Sequence, residues 1–78
     1  MTRRFQLSVE RAPGALERVL GVARRRRLGL ESMSVTTVGS RWDVAIVAGA
    51  APGEAALALR QFTALVNVRQ AALEQVEE

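Results

Sequence analysis

The stretch FQLSVERAPGALERVLGVA, residues 5–23, changes its hydrophobic period within a few residues and thereby decides the fold. Phe5, Leu7 and Val9 alternate with polar residues, which is the pattern of a strand with one buried face. A break at Pro13 then ends the alternation. Because proline lacks an N–H group, we expect Pro13 to occupy the first turn of a helix, where that donor has no partner in any case.

A helix is predicted after this break, because apolar residues recur there at intervals of three and four. They are Leu16, Val19, Leu20 and Ala23. The run from Arg24 to Arg27 places four cations at the carboxyl end of this helix, where the helix dipole favours positive charge. Gly29 follows as the expected point at which the chain leaves the helix.

Two strands are predicted next. The first runs from about Leu30 to Thr37 with Met33 and Val35 facing inward, although Leu30 and Met33 differ in parity and cannot share a face in a regular strand. Residues 38–40 contain a glycine and form a turn. The segment from Trp42 to Ala48 is apolar on both faces, which is typical of a central strand.

The remainder predicts a second helix and a last strand. Residues 49–53 form a break, and a second helical stripe follows at Ala55, Leu59, Phe62 and Val66. A final strand is expected over about Asn67 to Leu73, with residues 74–78 frayed. The order βαββαβ predicts an α+β, ferredoxin-like sandwich in which two helices cover one face of a four-stranded antiparallel sheet. The whole chain, 1–78, is expected to form one domain.

The amino-acid composition of this chain excludes most kinds of catalytic chemistry. Among its 78 residues there is no cysteine, no histidine and no lysine, so thiolate ligands, imidazole bases and Schiff-base amines are missing. We therefore predict no catalytic residue and no metal site, and an ordinary solvated role for Glu10, Glu31 and Asp43. No segment resembles a signal peptide or a membrane span, so a soluble, cytoplasmic protein is expected.

The basic balance gives a weak indication of a polyanion partner. All eleven basic residues are arginine, and the formal net charge is +3. RNA recognition on a sheet of this kind uses aromatic side chains on the exposed faces of the central strands. Only Phe5 and Trp42 are available for that role, and both lie in apolar alternation, so core or dimer packing is favoured and nucleic acid is an unlikely partner.

Three segments resemble the ACT domain family, and in particular the short, one-domain small subunits of acetolactate synthase (acetohydroxyacid synthase). They are ERAPGALERVLGVARRR (residues 10–26), LESMSV (residues 30–35) and QFTALVNV (residues 61–68). The similarity spans nearly the whole chain, and its combined spacing is more specific than any single motif.

The resemblance implies a regulatory role. ACT domains pair side by side through sheet edges and helices, and amino-acid effectors bind at that interface beside the first strand–helix loop. The corresponding positions here are Arg11, Ala12, Pro13, Gly14, Ala15, Gly29 and Leu30. Independently of the resemblance, N–H groups at a helix N-terminus suit a carboxylate, although Pro13 and Gly14 taken alone favour the simpler interpretation of a turn and helix start.

The resemblance also implies a partner. This chain, itself without cofactor, would bind and activate the catalytic large subunit, which carries thiamine diphosphate, Mg and FAD, in branched-chain amino acid biosynthesis. Arg18, Arg24 and Arg25 are candidates for contact with that partner. Valine-responsive members carry asparagine where this chain has Arg11 and Gly29, so weak or absent valine feedback is expected.

Two other functions stay open at the level of sequence. One is a free-standing ACT sensor for a different amino acid, and the other is a small RNA-binding domain with the same fold. A steep loss of polynucleotide affinity with rising salt would favour RNA binding.

Overall fold

The computed structural model describes residues 2–75, with the side chain of Gln75 excepted. Its elements follow in the order β1 (Thr2–Glu10), α1 (Ala15–Arg25), β2 (Gly29–Val38), β3 (Arg41–Gly49), α2 (Pro52–Ala64) and β4 (Val68–Gln75). The predicted βαββαβ order is confirmed. The frayed tail predicted for 74–78 is wrong for residues 74 and 75, which extend β4, whereas 76–78 lie outside the described residues.

The sheet has the strand order β2-β3-β1-β4, and each neighbouring pair is antiparallel. β1 and β3 are therefore the two inner strands, as the two-sided apolar pattern of β3 predicted. The inward residues Phe5, Leu7 and Val9 of β1 are all at most 1% exposed and lie under the helices. On α2, Phe62 meets Phe5 edge to face, with ring centroids 5.2 Å apart.

Helix α1 buries a stripe that is rotated from the predicted one. Its buried residues are Ala15, Val19, Val22 and Ala23. Leu20 was predicted to be inward but is 43% exposed, and Leu16 is only partly buried. The rotation turns Leu16 and Leu20 toward the end of the sheet where α1 begins. In α2 the predicted stripe holds for Ala55, Leu59 and Phe62, but Val66 lies beyond the helix and is 81% exposed.

Strand β2 resolves the parity conflict by a bulge. Its register against β3 shifts between Leu30 and Ser32, so Leu30 pairs with Ala48 while Met33 pairs with Ile46. Because Glu31 is the extra residue, Leu30 and Met33 share the helix-facing side of the sheet. The predicted burial of this strand is nevertheless only partly correct. Met33 packs on the core, but β2 is an edge strand and Val35 is 42% exposed.

Helix α1 ends in a Schellman motif centred on Arg27, and not at Gly29 as predicted. The Leu28 N–H donates to the Ala23 carbonyl at 3.1 Å, and the Arg27 N–H donates to the Arg24 carbonyl at 3.1 Å. Arg27 has a φ of 55°, a left-handed conformation that glycine adopts more easily than any other residue. Gly29 instead begins β2, with the backbone of Gly49 beside it.

Neither helix in residues 2–75 has the length and apolar character that crossing a membrane requires.

We predict that Arg27→Gly raises the free energy of unfolding by about 1 kcal/mol, because glycine removes the steric cost of the left-handed conformation. Thermal unfolding followed by circular dichroism would then show a rise in Tm of about 4–8 °C. The reciprocal control is Gly39→Ala at a φ of 61°, where a new Cβ meets no atom within 4 Å. It should lower Tm through backbone strain alone, and an unchanged or lower Tm for Arg27→Gly would contradict the assignment.

Candidate effector-binding site

The link between β1 and α1 is a tight turn. The Ala15 N–H donates to the Ala12 carbonyl at 3.1 Å, and Gly14 has a φ of 80° and a ψ of −3°. These values match the third position of a type II turn, with Pro13 at the second. Pro13 was predicted in the first helical turn but precedes the helix, because the positive φ at Gly14 is needed to bring α1 back over the sheet.

The N-terminus of α1 leaves backbone donors available. No side chain caps it, and the first intrahelical bond runs from the Arg18 N–H to the Gly14 carbonyl at 3.0 Å. The N–H groups of Leu16 and Glu17 precede that bond and have no side-chain acceptor. An uncapped first turn leaves these N–H donors available to an anionic group, and the Arg18 guanidinium lies over Gly14.

A cavity of about 790 Å³ opens directly beside this turn. It is lined by Arg11, Ala12, Pro13, Gly14, Leu16, Glu17, Leu20, Ser40 and Trp42. Leu16, Leu20 and Trp42 form an apolar wall, and Arg11, Glu17 and Ser40 supply charge and hydrogen bonding. A pocket with one apolar wall and a few convergent polar groups is suited to a small amphiphilic ligand.

Two hydrogen bonds hold the pocket rim to the β2–β3 turn. The Arg11 N–H donates to the Ser40 carbonyl at 3.2 Å, and Arg11 Nη1 donates to the Gly39 carbonyl at 3.1 Å. The remaining guanidinium donors of Arg11 stay free for an acceptor in the pocket. The β2–β3 turn is thereby part of the site.

The structure brings together only some of the predicted loop residues. Arg11, Ala12, Pro13 and Gly14 line the cavity, whereas Ala15 is buried beneath it. Gly29 and Leu30 are not brought to it within one chain. They pair with Gly49 and Ala48, at the opposite end of β3 from Trp42, about 20 Å away at 3.3 Å per residue.

Sequence reasoning missed the residues that give the pocket its apolar wall. Leu16 and Leu20 were placed in the core stripe, and Trp42 was placed in the inner face of β3. Trp42 does face the helices, since it pairs with Val9, but it stands at the end of the sheet and is only partly buried. The sequence signal for these residues was that the apolar residues of α1 cover a wider surface than one buried stripe needs.

The candidate partner-contact arginines fall into two environments. Arg18 Nη1 donates to Asn67 Oδ1 at 2.8 Å, so this side chain ties α1 to the α2–β4 turn. Arg24 and Arg25 lie in the last turn of α1, and both are exposed. The three predicted contacts therefore do not form one patch, and their role with a partner stays a prediction.

A polar network connects the start of α1 to β4. Beyond Arg18, Asn67 Nδ2 donates to Glu10 Oε1 at 3.4 Å, and Arg69 Nη2 donates to Glu10 Oε2 at 2.5 Å. The Arg69 hydrogen bond and its positive charge hold the pKa of the Glu10 carboxyl below its ordinary value of 4.5, and the Asn67 hydrogen bond acts in the same direction. Glu10 is thus a structural carboxylate beside the pocket.

No group of three or more histidine, cysteine, aspartate or glutamate side chains in the described part of the chain is arranged to hold a metal ion. The open face of the sheet also lacks an aromatic side chain within residues 2–75, because Phe5, Trp42 and Phe62 all lie on the helix side. The stacking platform that the RNA-binding alternative needs is therefore not on that face.

We predict that Glu10→Gln makes the stability of the fold less dependent on pH in the acidic range. Because the pKa of Glu10 is lower in the folded chain than in the unfolded chain, its charged form stabilises the fold above about pH 4.5. That contribution is lost as the pH falls through the folded-state pKa. The Tm of the variant should lie below wild type at about pH 7 and converge on it as the pH falls through the lowered folded-state pKa of Glu10.

Glu74→Gln is the matched control, because the Glu74 carboxylate lies 3.9 Å from the Arg4 guanidinium on the same sheet face. A difference between Glu10→Gln and wild type that does not change as the pH falls would contradict the assignment.

Comparison with known proteins gives the family. The profile of the ACT domain family matches residues 11–71. Among curated proteins, none matches the sequence at a significant level. Among solved structures, the ACT domain from GTP pyrophosphokinase of Chlorobium tepidum superposes with a TM-score of 0.83 at 7% identity, covering 95% of this chain and 97% of that one.

Two longer proteins contain the same fold. The acetolactate synthase small subunit from Thermotoga maritima gives a TM-score of 0.82 at 17% identity, over 94% of this chain and 47% of that one. Formyltetrahydrofolate deformylase from Burkholderia mallei gives 0.80 at 23% identity, over 96% of this chain and 28% of that one. At these identities the likeness shows the fold alone. Because the family match itself spans most of the sequence, this chain belongs to the ACT domain family.

Proposed function

We propose that this chain is a non-catalytic regulatory subunit that binds an amino-acid effector and acts on a separate catalytic protein. The observation that carries the proposal is the cavity beside the β1–α1 turn, whose polar groups and apolar wall match the two halves of an amino acid. The catalytic partner we propose is the large subunit of acetolactate synthase in the cytoplasm. The segments at 10–26, 30–35 and 61–68 support this choice, as does the shared fold of the Thermotoga maritima small subunit.

The pocket has a place for each part of an amino-acid effector. Its carboxylate would accept from the uncapped N–H groups of Leu16 and Glu17 and from the free donors of Arg11. Its ammonium would face the Glu17 carboxylate. Its side chain would lie against Leu20 and Trp42, which favours an apolar residue.

The edge of β2 is the surface we propose for pairing with a second copy. β2 presents ten residues with only one charge, Glu31, and nearly all of them are exposed. Leu30 and Val35 are 48% and 42% exposed, on the side of the sheet that carries the helices. The other edge, β4, carries Arg69 and Glu74 in ion pairs. An edge without such charges is open to strand pairing.

The bulge in β2 selects a register for a two-fold pairing. An antiparallel pair centred on Ser34 sets Met33 opposite the partner subunit's Val35, so that helix-facing residues meet. Because Glu31 is the extra residue, Leu30 of the partner subunit then lies opposite Thr37, one strand away from Trp42. The two predicted effector residues that one chain leaves distant, Gly29 and Leu30, would reach the pocket from the second copy.

Valine is not the effector we propose. In the resembling subunits, valine-responsive members carry asparagine at two positions that are Arg11 and Gly29 here. Without those side-chain amides the carboxylate and ammonium of valine lose two hydrogen-bond partners. Thiamine diphosphate, Mg and FAD would belong to the catalytic partner, and Arg24 and Arg25 are exposed for contact with it.

We predict that Ser34→Cys forms a disulfide-linked dimer under mild oxidation. The chain has no native cysteine, and a two-fold pair centred on residue 34 brings the two new thiols within bonding reach. Non-reducing electrophoresis checks this. The matched control is Gln70→Cys, an exposed position on the opposite edge strand. Equal crosslinking of both variants, or of Gln70→Cys alone, would contradict pairing through β2.

The partner assignment is tested by mixing the purified chain with the catalytic subunit of acetolactate synthase from the same source. Co-elution and a several-fold rise in acetolactate formation are expected, with no inhibition by valine at millimolar concentration. Absence of both co-elution and activation would refute the partner. Effector binding by the isolated chain in that case would instead favour a free-standing amino-acid sensor.

A further inference from the structure

A second cavity lies at the opposite end of the molecule from the effector pocket. It has a volume of about 530 Å³ and is lined by Arg25, Arg26, Arg27 and Glu54. The Schellman motif places three consecutive arginines there, and α2 begins beside them with Glu54 in its first turn. Three guanidinium groups against one carboxylate leave this cavity with a positive excess.

Three arginines outside this cavity have a carboxylate partner. Arg4, Arg41 and Arg69 each form an ion pair, and each of these pairs lies along the sheet. In the part of the chain that the structure describes, no ion pair or side-chain hydrogen bond is formed by the cavity arginines. Within residues 2–75, this cavity therefore gathers three arginines that form no ion pair.

Burial makes the missing counter-ion costly. Arg26 Nε is buried and has no hydrogen-bond partner. Arg3, at the start of β1, also has a buried Nε without a partner, but it does not line the cavity. A buried donor of a charged group that finds no acceptor destabilises the fold, and a bound anion would supply the acceptor.

Arg27 occupies the left-handed position of the Schellman motif that ends α1. The Schellman position prefers glycine, yet the chain keeps arginine there at a φ of 55°. Local strain at a residue lining a cavity points to a role for its side chain. The guanidinium of Arg27 completes the cluster around the cavity.

We propose that this cavity binds a phosphate or pyrophosphate group of a small molecule. Guanidinium forks match phosphate oxygens in two-bond geometry, and three of them compensate a multiply charged anion. The lining contains no aromatic or apolar side chain, so the proposed recognition is of the anionic group. The Glu54 carboxylate repels the bound anion and therefore lowers the affinity of the cavity for it.

This site is separate from the proposed effector pocket, and it shares with the proposed partner contacts only Arg25, which the test below leaves unchanged. It uses the C-terminal end of α1 and the start of α2, whereas the effector pocket uses the start of α1 and the β2–β3 turn. Failure of one site leaves the other untouched.

The test is calorimetric titration of the full chain with inorganic pyrophosphate at constant ionic strength. Saturable binding is expected for wild type, and Arg27→Gly should weaken it about tenfold, because one charge-assisted donor group is lost. The same variant is expected to be more stable than wild type, so lost binding is not confused with unfolding. Glu54→Gln should tighten binding by removing the opposing carboxylate.

The matched control is Arg60→Gln, which removes the same charge from an exposed position on α2 outside the cavity. Its affinity should equal that of wild type. ATP binding as well as pyrophosphate, with adenosine not binding, would identify the phosphates of a nucleotide as a source of the group. No heat with pyrophosphate, or equal weakening by Arg60→Gln and Arg27→Gly, would overturn the proposal.

Discussion

Strand β1 must pair with a strand on each side and also pack against the layer of helices, and the rest of the structure depends on this constraint. It pairs with β3 on one side and with β4 on the other. Its inward residues Phe5, Leu7 and Val9 supply the centre of the core under both helices. Burying three such side chains stabilises the fold by several kcal/mol, roughly 1.5–3 kcal/mol each. A one-residue slip of β1 would expose all three.

The position of the effector pocket follows from where β1 ends. Glu10 is the last residue of the strand and is fixed by Asn67 and Arg69, so the chain enters the turn from a defined place. The left-handed Gly14 then returns α1 over the sheet, and the uncapped helix start comes to lie beside Trp42. The pocket thus forms where the chain passes from strand β1 to helix α1 at the end of the sheet.

The sequence predicted the element order, the inner position of β3 and the inward face of β1, because each depends on a local period in the pattern of apolar residues. It did not predict the rotation of α1, since Leu20 fits a buried stripe and a pocket wall equally well. The bulge at Glu31 was not predicted either, although the parity conflict between Leu30 and Met33 indicated an irregularity in this strand. Burial of β2 was overestimated because an edge position depends on strand order, which no local pattern encodes.

The residues around the candidate effector pocket were predicted in part for the same reason. Its loop residues are contiguous in sequence, from Arg11 to Gly14, and the structure brings them to the cavity. Ser40 and Trp42 reach it only through the β2–β3 hairpin. Gly29 and Leu30 would reach it only from a second copy, which the sequence of one chain does not display.

We propose that the pocket whose apolar wall includes Trp42 binds an amino acid in the paired protein. Trp42 is the only tryptophan of the chain, and there is no tyrosine, so its fluorescence reports on this pocket alone. The direct measurement is a titration of the dimer with individual amino acids, following Trp42 emission. A saturable spectral shift with an apolar amino acid is predicted. An unchanged spectrum with every amino acid, in protein shown to be dimeric, would contradict the account.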